Sequence, residues 1–305
     1  MPAAVRDVVA RRVHRLSAGC RALVQAAAVA GTELLPDVLS EVCGIEAAAV
    51  AVLIEDGMQA GVLIRDADGS RVWLAHDLFR ETIYLALVLP QRLALHQRIA
   101  DALEHRHARG APVVPADLAR HCAAAVALDG AERAVRWARV AARAERARLA
   151  FGEAAAHLAR ARRAVEPTGD ARSGGLLVDL LVEEADARAR AGDSTGARAL
   201  LDDATDRSAA LGDAERLGQV ALAVQRLGAR FAMPRDAVVS VLETARSALQ
   251  GTSTALEAQL TASLARELHH SVPAHRPQAW PLSEQALAPR TARPGDADRV
   301  PAGPP

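Results

Sequence analysis

The chain has 305 residues, of which 50% are hydrophobic and only 2% aromatic, so Ala, Leu and Val must fill its core. Its formal net charge is +0, and every basic residue other than histidine is arginine. That balance argues against non-specific binding to nucleic acid or to an anionic membrane. No apolar run approaches the roughly 20 residues of a membrane span, and the N-terminus lacks the order of a signal peptide, so we expect a cytoplasmic chain.

Residues 2–60 are predicted to form a helical bundle. Ser17 is a candidate N-cap, Gly31 and Gly44 are candidate helix ends, and a short helix is expected to start near Pro36. Apolar residues at helical spacing are Val5, Val8, Val9, Val13 and Leu16 in the first helix, Val38, Leu39 and Val42 in the third, and Val50, Leu53 and Ile54 in a fourth helix between Glu46 and Gly61.

Two β-rich runs, 62–64 and 72–74, flank the turn signal Asp66-Ala67-Asp68-Gly69. This pattern predicts a hairpin over 62–75. The acidic turn lacks the further acidic ligand and the closing Glu of a calcium loop, so a hairpin turn is the better interpretation. Helices followed by a hairpin and a closing helix predict a winged-helix module.

Two further helices are predicted over 77–88 and 90–108, followed by a short hinge over 110–115. On the second of these helices, the apolar face is expected to contain Leu95, Ile99, Ala102 and Leu103, with His96, Arg98 and Arg106 turned away from it.

A degenerate repeat of about 40 residues begins after residue 116. Small residues on its contact faces would let paired helices approach closely, as in lengthened tetratricopeptide repeats. Phe151-Gly152 and Gly192-Asp193 are expected in the turns before the second helix of two copies. The repeated i, i+4, i+7 positions are Ala154, Leu158 and Ala161, then Ala197, Leu201 and Ala204, then Val238, Leu242 and Ala245.

The C-terminal part is rich in proline, which excludes a long helix there. Residues 281–288 still resemble the start of a repeat helix, whereas 289–305 are predicted to be disordered. The predicted fold is therefore mostly α: a winged-helix module with trailing helices over 1–110, helical repeats resembling tetratricopeptide repeats over 116–288, and a disordered tail over 289–305.

Several segments carry a family resemblance: residues 2–13, Cys20–Leu23, Ala27–Gly31, His76-Asp77-Leu78-x-Arg80-Glu81-x-x-Tyr84, and Arg92–Glu104. In order and spacing they resemble the region after the P-loop ATPase in large ATP-binding transcriptional regulators of the LuxR type, which are signal-transducing (STAND) ATPases. The resemblance covers about residues 2–288. A Walker A motif cannot occur in a chain without lysine, and no helix-turn-helix pattern is present near Pro305, so the chain is similar to the central part of such a regulator.

The resemblance implies a role for His76 and Asp77. In the wider ATPase class, a His-Asp pair that opens this helix contacts the β-phosphate of bound ADP. The chain itself needs no cofactor, and ATP or ADP would be held by the missing ATPase domain. From the residues alone, the favoured interpretation is the ordinary one, in which Asp77 is an N-cap and His76 is the end of a strand.

Other candidate sites have ordinary structural interpretations. The third helix carries Asp37 and Glu41 and no basic residue, so direct DNA binding is not expected. His105, His107, His269, His270 and His275 lack zinc-site spacing and are predicted to be exposed, and Cys20, Cys43 and Cys122 are predicted to be buried free thiols. The carboxylates of 183–184 and 202–203 are expected on solvated helix faces.

No nucleophile motif is present, so we expect no enzymatic activity. The resemblance suggests a relay segment whose repeats bind a protein partner or a small inducer. Two alternatives remain: a stand-alone helical scaffold for protein interactions, and the equivalent segment of an ATPase regulator linked to a nucleotide cyclase.

Overall fold

The computed structural model describes residues 3–31, 35–66, 71–169, 171–228, 234–249, 254–270 and 276–287. Within these ranges the chain is almost entirely helical, with sixteen α-helices, one short 3₁₀ helix and two strands. It divides into two compact units, 1–191 and 192–305. None of the described helices combines the length and apolarity needed to cross a membrane.

The first unit begins with the predicted order of helices, hairpin and helices. Ser17 caps α2 by accepting a hydrogen bond from the backbone N–H of Cys20 at 3.2 Å. Gly31 and Gly44 end α2 and α3 at positive φ, as predicted. The elements are α1 (Ala3–His14), α2 (Ala18–Ala30), α3 (Pro36–Cys43), α4 (Ala47–Gln59), β1 (Leu63–Arg65), β2 (Val72–Leu74), α5 (Asp77–Ala86) and α6 (Leu89–Ala108).

β1 and β2 form the predicted antiparallel hairpin, with Ile64 opposite Trp73. Asp66 and Arg71 close it, because Asp66 N–H donates to the Arg71 carbonyl at 3.2 Å and Arg71 N–H donates to Asp66 Oδ1 at 3.0 Å. The predicted turn residues 67–70 lie outside the described part of the chain.

The core of this region is built around α2, whose Leu23, Val24 and Ala27 are fully buried. Residues from α3, α4, both strands and α5 pack against it, which is why so few aromatic residues suffice. The stripe predicted for α1 is only partly correct. Val9 and Leu16 are buried, but Val8 is 44% exposed because it lies about 100° around the helix from Val9.

The cysteine prediction also needs a correction at one position. Cys20 and Cys122 are buried free thiols, as expected, whereas Cys43 is only partly buried because it is the last residue of α3. Burial raises the pKa of Cys20 to about 11 and that of Cys122 to about 12, so both remain protonated at neutral pH.

Helix follows helix after the loop at 109–114. Within the first unit, α9 packs against α10, α10 packs against α11, and α7 packs against α9. The elements are α7 (Pro115–Ala124), α8 (Val126–Asp129), α9 (Ala131–Ala147), α10 (Phe151–Val165), the 3₁₀ helix Glu166–Thr168 and α11 (Ala171–Arg190).

The second unit continues the pattern of neighbouring helices in contact. Asp193 caps its first helix by accepting from the Gly196 N–H at 2.9 Å, next to Gly192 at φ +91°. The elements are α12 (Ser194–Leu211), α13 (Ala214–Gly228), α14 (Arg235–Ala248), α15 (Thr254–His269) and α16 (Arg276–Leu287).

The nine predicted repeat positions confirm the helical-repeat prediction. They fall on α10, α12 and α14, which are alternate helices, and all nine are at most 4% exposed. Alternation of this kind is expected when each repeat is a helix pair. One turn differs from the prediction: Phe151 begins α10, and the preceding turn contains Leu149 at φ +61°.

The proline-rich region contains a helix that starts earlier than predicted. α16 begins at Arg276, so Pro277 occupies the first turn, where its missing N–H is not needed. Pro281 lies inside the helix and removes one i→i−4 hydrogen bond. The predicted disorder of 289–305 concerns residues outside the described part of the chain.

Candidate functional site

The His76–Asp77 pair lies at an exposed corner where β2 leads into α5. His76, not Asp77, is the N-cap, because its Nδ1 accepts a hydrogen bond from the Leu78 N–H at 3.1 Å. Asp77 is the first helical residue, where its charge complements the helix dipole, and it pairs with Arg80 at 3.7 Å. The imidazole Nε2 is left for a further hydrogen bond. A nucleotide-sensing role for the pair stays a prediction.

His96 is a clear correction to the sequence interpretation. It was expected to face away from the apolar side of α6, but it is 4% exposed and contacts α5 and α7. The periodicity of α6 did not show this contact because α6 packs on two sides, against the N-terminal helices and against α7. Arg98 is exposed as expected. Arg106 is only 18% exposed, because it forms an ion pair with Asp37 of α3.

His96 and His121 form a buried chain of hydrogen bonds. His121 Nε2 lies 3.3 Å from the Ala30 carbonyl and can only donate to it, so in a neutral His121 the Nδ1 atom is an acceptor. His96 Nδ1 then donates to His121 Nδ1 at 2.8 Å, and His96 Nε2 accepts from the Tyr84 hydroxyl at 3.3 Å. With both rings neutral, this assignment gives all four ring nitrogens a partner. Burial, with Arg120 adding to it, lowers the pKa of both histidines, that of His96 to about 4.

An ion-pair network joins α6 to α8 and α9. Arg133 contacts Asp101 at 2.7 Å, Glu104 at 3.1 Å and Asp129 at 2.6 Å. Burial alone would raise the pKa of Glu104, but hydrogen bonds from Trp137 and Arg133 hold it below its usual value. The residues 101–104 and 129–137 are therefore positioned relative to each other by charge as well as by packing.

Glu184 corrects the expectation of a solvated face at 183–184. Its side chain is fully buried, and its two oxygens accept hydrogen bonds from Arg162 at 2.8 Å and Arg188 at 2.9 Å. Helix α11 packs on α10 along this side, so the carboxylate replaces lost hydration with two guanidinium donors. Asp202 and Asp203, in contrast, pair within α12 and stay partly exposed, as expected.

A groove of about 630 Å³ lies along α9 and reaches Leu176 of α11. Arg136, Arg139 and Arg143 share one side of α9 because they are spaced i, i+3 and i+7. Arg139 is held by Glu183 at 2.7 Å. Arg136 is 62% exposed and bonded to Glu104, and Arg143 is exposed without an ion pair to any described residue. We call this surface the α9 groove; its lining residues are Asp129, Glu132, Arg133, Val135, Arg136, Arg139, Arg143 and Leu176.

The histidines considered as metal ligands do not converge. His105, His107, His269 and His270 are exposed, as predicted, and His275 lies outside the described residues. Asp37 and Glu41 of α3 pair with Arg106 and His105. In the described ranges, no group of three or more His, Cys, Asp or Glu side chains is arranged to hold a metal ion.

No protein-family model matches the sequence, and no curated protein sequence matches it. Among solved structures, the chain is similar to a signal transduction ATPase with numerous domains that has a tetratricopeptide repeat sensor, from Pyrococcus horikoshii. That similarity covers 90% of this chain and 45% of the other chain, with 10% sequence identity and a TM-score of 0.34. The matched part thus spans less than half the length of that protein.

Proposed function

We propose that this chain is a non-catalytic sensor and relay segment of an ATP-dependent transcriptional regulator of the LuxR type. The α9 groove, which lies on the stacked repeat helices, is the observation on which this proposal depends most. Extended faces of stacked helix pairs suit the binding of a protein segment because they are largely preformed. The module before the repeats would then transmit binding to the ATPase domain.

The chemistry of the α9 groove favours an acidic protein segment over a small inducer. Four arginines and two carboxylates line it, and Arg136 and Arg143 present guanidinium groups to solvent. Arginine donors in a fork recognise carboxylates well, and a shallow open groove suits an extended chain. Direct DNA binding and a membrane role form no part of the proposal, and ATP or ADP would be bound by the ATPase domain.

The relay part of the proposal depends on the exposed His76–Asp77 corner. His76 can report on nucleotide only if its free Nε2 reaches a phosphate held by the ATPase domain. The winged-helix assignment of residues 1–110 belongs to the same proposal, and it is supported by the observed order of helices, hairpin and closing helix.

The relay is tested by adding a P-loop ATPase domain of a LuxR-type regulator in trans and measuring its binding to the full chain with and without ADP. We expect tighter binding with ADP, and loss of that difference in His76→Ala. His76→Asn is the matched control for structure, because asparagine keeps a cap acceptor for α5. If ADP has the same effect on His76→Ala as on the natural chain, the sensing role is wrong. No binding under any condition would favour the stand-alone scaffold.

The groove is tested by charge reversal. We expect Arg136→Glu combined with Arg143→Glu to weaken binding of an acidic peptide library by about tenfold, since two exposed ion pairs of up to about 1 kcal/mol each are lost and replaced by repulsion. Arg163→Glu, an exposed position on α10 outside the groove, should leave binding unchanged. Equal losses in both proteins would show that net charge, not the groove, governs binding.

A further inference from the structure

A second cavity, of about 340 Å³, lies in the first unit where α2, α5, α6, α7 and α10 meet. Many of the side chains that line it are small, since alanines from α2, α7 and α10 provide much of the surface. This leaves room for long side chains to reach inward. The polar lining residues are Arg80, Tyr84, His96, Arg120 and Arg160.

The charge in this cavity is unbalanced. Three of its described lining residues are arginines and none is a carboxylate. Arg80 is paired only loosely, at 3.7 Å from Asp77, and Arg120 is 3.5 Å from Asp117. Arg160 donates to His157 Nδ1 at 3.1 Å and forms no ion pair with a described residue.

Arg120 is fixed, whereas Arg80 and Arg160 have donors to spare. Arg120 donates to the carbonyls of Val29 and Ala30, which are the free carbonyls at the end of α2. Burial, together with the nearby Arg120 and Arg163, lowers the pKa of Arg160. The cluster is therefore held together by packing against the repulsion of its own charges.

An anion would relieve this repulsion. Half-buried cations cost free energy unless an opposite charge compensates them. Guanidinium groups bind phosphate through paired N–H donors, and three of them around one cavity can contact a single phosphate from different sides. The cavity falls within the usual size range of small-molecule sites, about 300–1,000 Å³, and so has room for more than phosphate itself.

We propose that this cavity binds a small molecule carrying a phosphate group, with Arg80, Arg120 and Arg160 as the phosphate ligands. The alanine walls would contact the uncharged part of the molecule. The site joins helices of the N-terminal module to repeat helices α7 and α10, so an occupant would stabilise their packing. The proposal does not depend on the α9 groove, which is lined by other residues.

Isothermal titration of the full chain with inorganic phosphate and with pyrophosphate, at ionic strength held constant with chloride, tests the site. We expect saturable binding, tighter for pyrophosphate. Arg160→Gln should weaken it by at least about tenfold, because it removes one charge-assisted pair. Arg160→Lys keeps the charge but not the forked pair of donors, so its affinity should lie between those of the natural chain and Arg160→Gln. Arg98→Gln, at an exposed position on α6 outside the lining, should remain within about twofold of the natural chain.

Two results would overturn the proposal. One is the absence of saturable heat with either anion at concentrations up to about 10 mM. The other is unchanged affinity in Arg160→Gln, which would place the anion elsewhere. Circular dichroism checks that the variants are folded. If Arg160→Gln does not fold, Arg80→Gln provides an independent test. Arg80 is 44% exposed and forms only one loose ion pair, so its replacement should leave the fold intact.

Discussion

Buried polar side chains determine how the helices of the first unit meet. Tyr84, His96 and His121 form one chain of hydrogen bonds from α5 through α6 and α7 to the last carbonyl of α2. Each of these three side chains has a hydrogen-bond partner, so the network is satisfied without a charged group. Burial of the two imidazoles disfavours their protonated forms.

Acidification should therefore destabilise the protein. The pKa of His96 is lowered from 6.5 to about 4, mainly by burial and further by Arg120 and Arg92. The unfolded chain binds a proton at pH values where the folded chain does not, so this contribution is complete above pH 6.5 and decreases as the pH falls toward 4. The loss should be on the order of 3 kcal/mol at its limit. Urea unfolding at several pH values between 7 and 5 should show the first part of this loss as a progressive decrease in the free energy of unfolding.

Non-titrating variants separate this effect from the titration of carboxylates. We expect the free energy of unfolding of His96→Gln to be lower at neutral pH but less dependent on pH between 6.5 and 5. His14→Gln, at an exposed position on α1, should keep the dependence of the natural chain. Parallel pH profiles for His96→Gln and the natural chain would show that His96 does not carry the effect.

At the scale of the element, small residues let helices approach their neighbours closely. Gly57 in α4 is buried, and a Cβ built on it would lie 2.6 Å from Leu63 Cδ1 and 3.0 Å from Leu63 Cγ. Leu63 is only 1% exposed and has little space to move. Gly152 in α10, in contrast, has no atom within 4 Å of the same position. Close packing therefore requires a glycine at position 57 but not at position 152.

Gly57→Ala should destabilise the protein by about 1–3 kcal/mol, because overpacking outweighs the gain in helix propensity. Gly152→Ala should stabilise it by about 0.5–1 kcal/mol, because only the propensity and the entropy of the unfolded chain change. The midpoints of thermal or urea unfolding compare the two variants directly. A stabilised Gly57→Ala would mean that Leu63 can repack without cost.

At the scale of the whole molecule, contacts cross the predicted boundary at 110–115. Glu104 bonds to Arg133, and His96 bonds to His121. The division between the two compact units falls after residue 191, so residues 110–115 lie inside the first unit. The boundaries 1–110 and 116–288 stay predictions about family modules, and the structure suggests that stability is shared across the first of them.

Truncation tests this sharing. We expect a protein of residues 1–191 to unfold cooperatively in urea, because it keeps the partners of His96 and Glu104. Residues 1–110 alone would expose Ala100, His96 and Glu104, and we expect a lower midpoint and a broader transition. If 1–110 unfolds as sharply and at the same midpoint, the contacts to α7 and α9 contribute little, and the module is autonomous.

The sequence by itself determined the local elements and the repeat. Caps such as Ser17, end signals such as Gly44, the strand periodicity around 62–75 and the Ala/Leu spacing on α10, α12 and α14 depend on neighbours a few residues apart, and short-range rules govern them. The nucleotide-sensing role of His76 and Asp77 was inferred from the family resemblance, and the local structure does not test it.

Only the tertiary structure decided which polar residues are buried and which charges meet. Glu184 and Asp202 have similar sequence surroundings, yet one is fully buried between two arginines and the other is exposed. The difference arises from the helix packed against each position, and helical periodicity records a polar residue without recording its neighbour. The arginine-lined cavity has the same origin, since Arg80, Arg120 and Arg160 come from three helices that only the fold brings together.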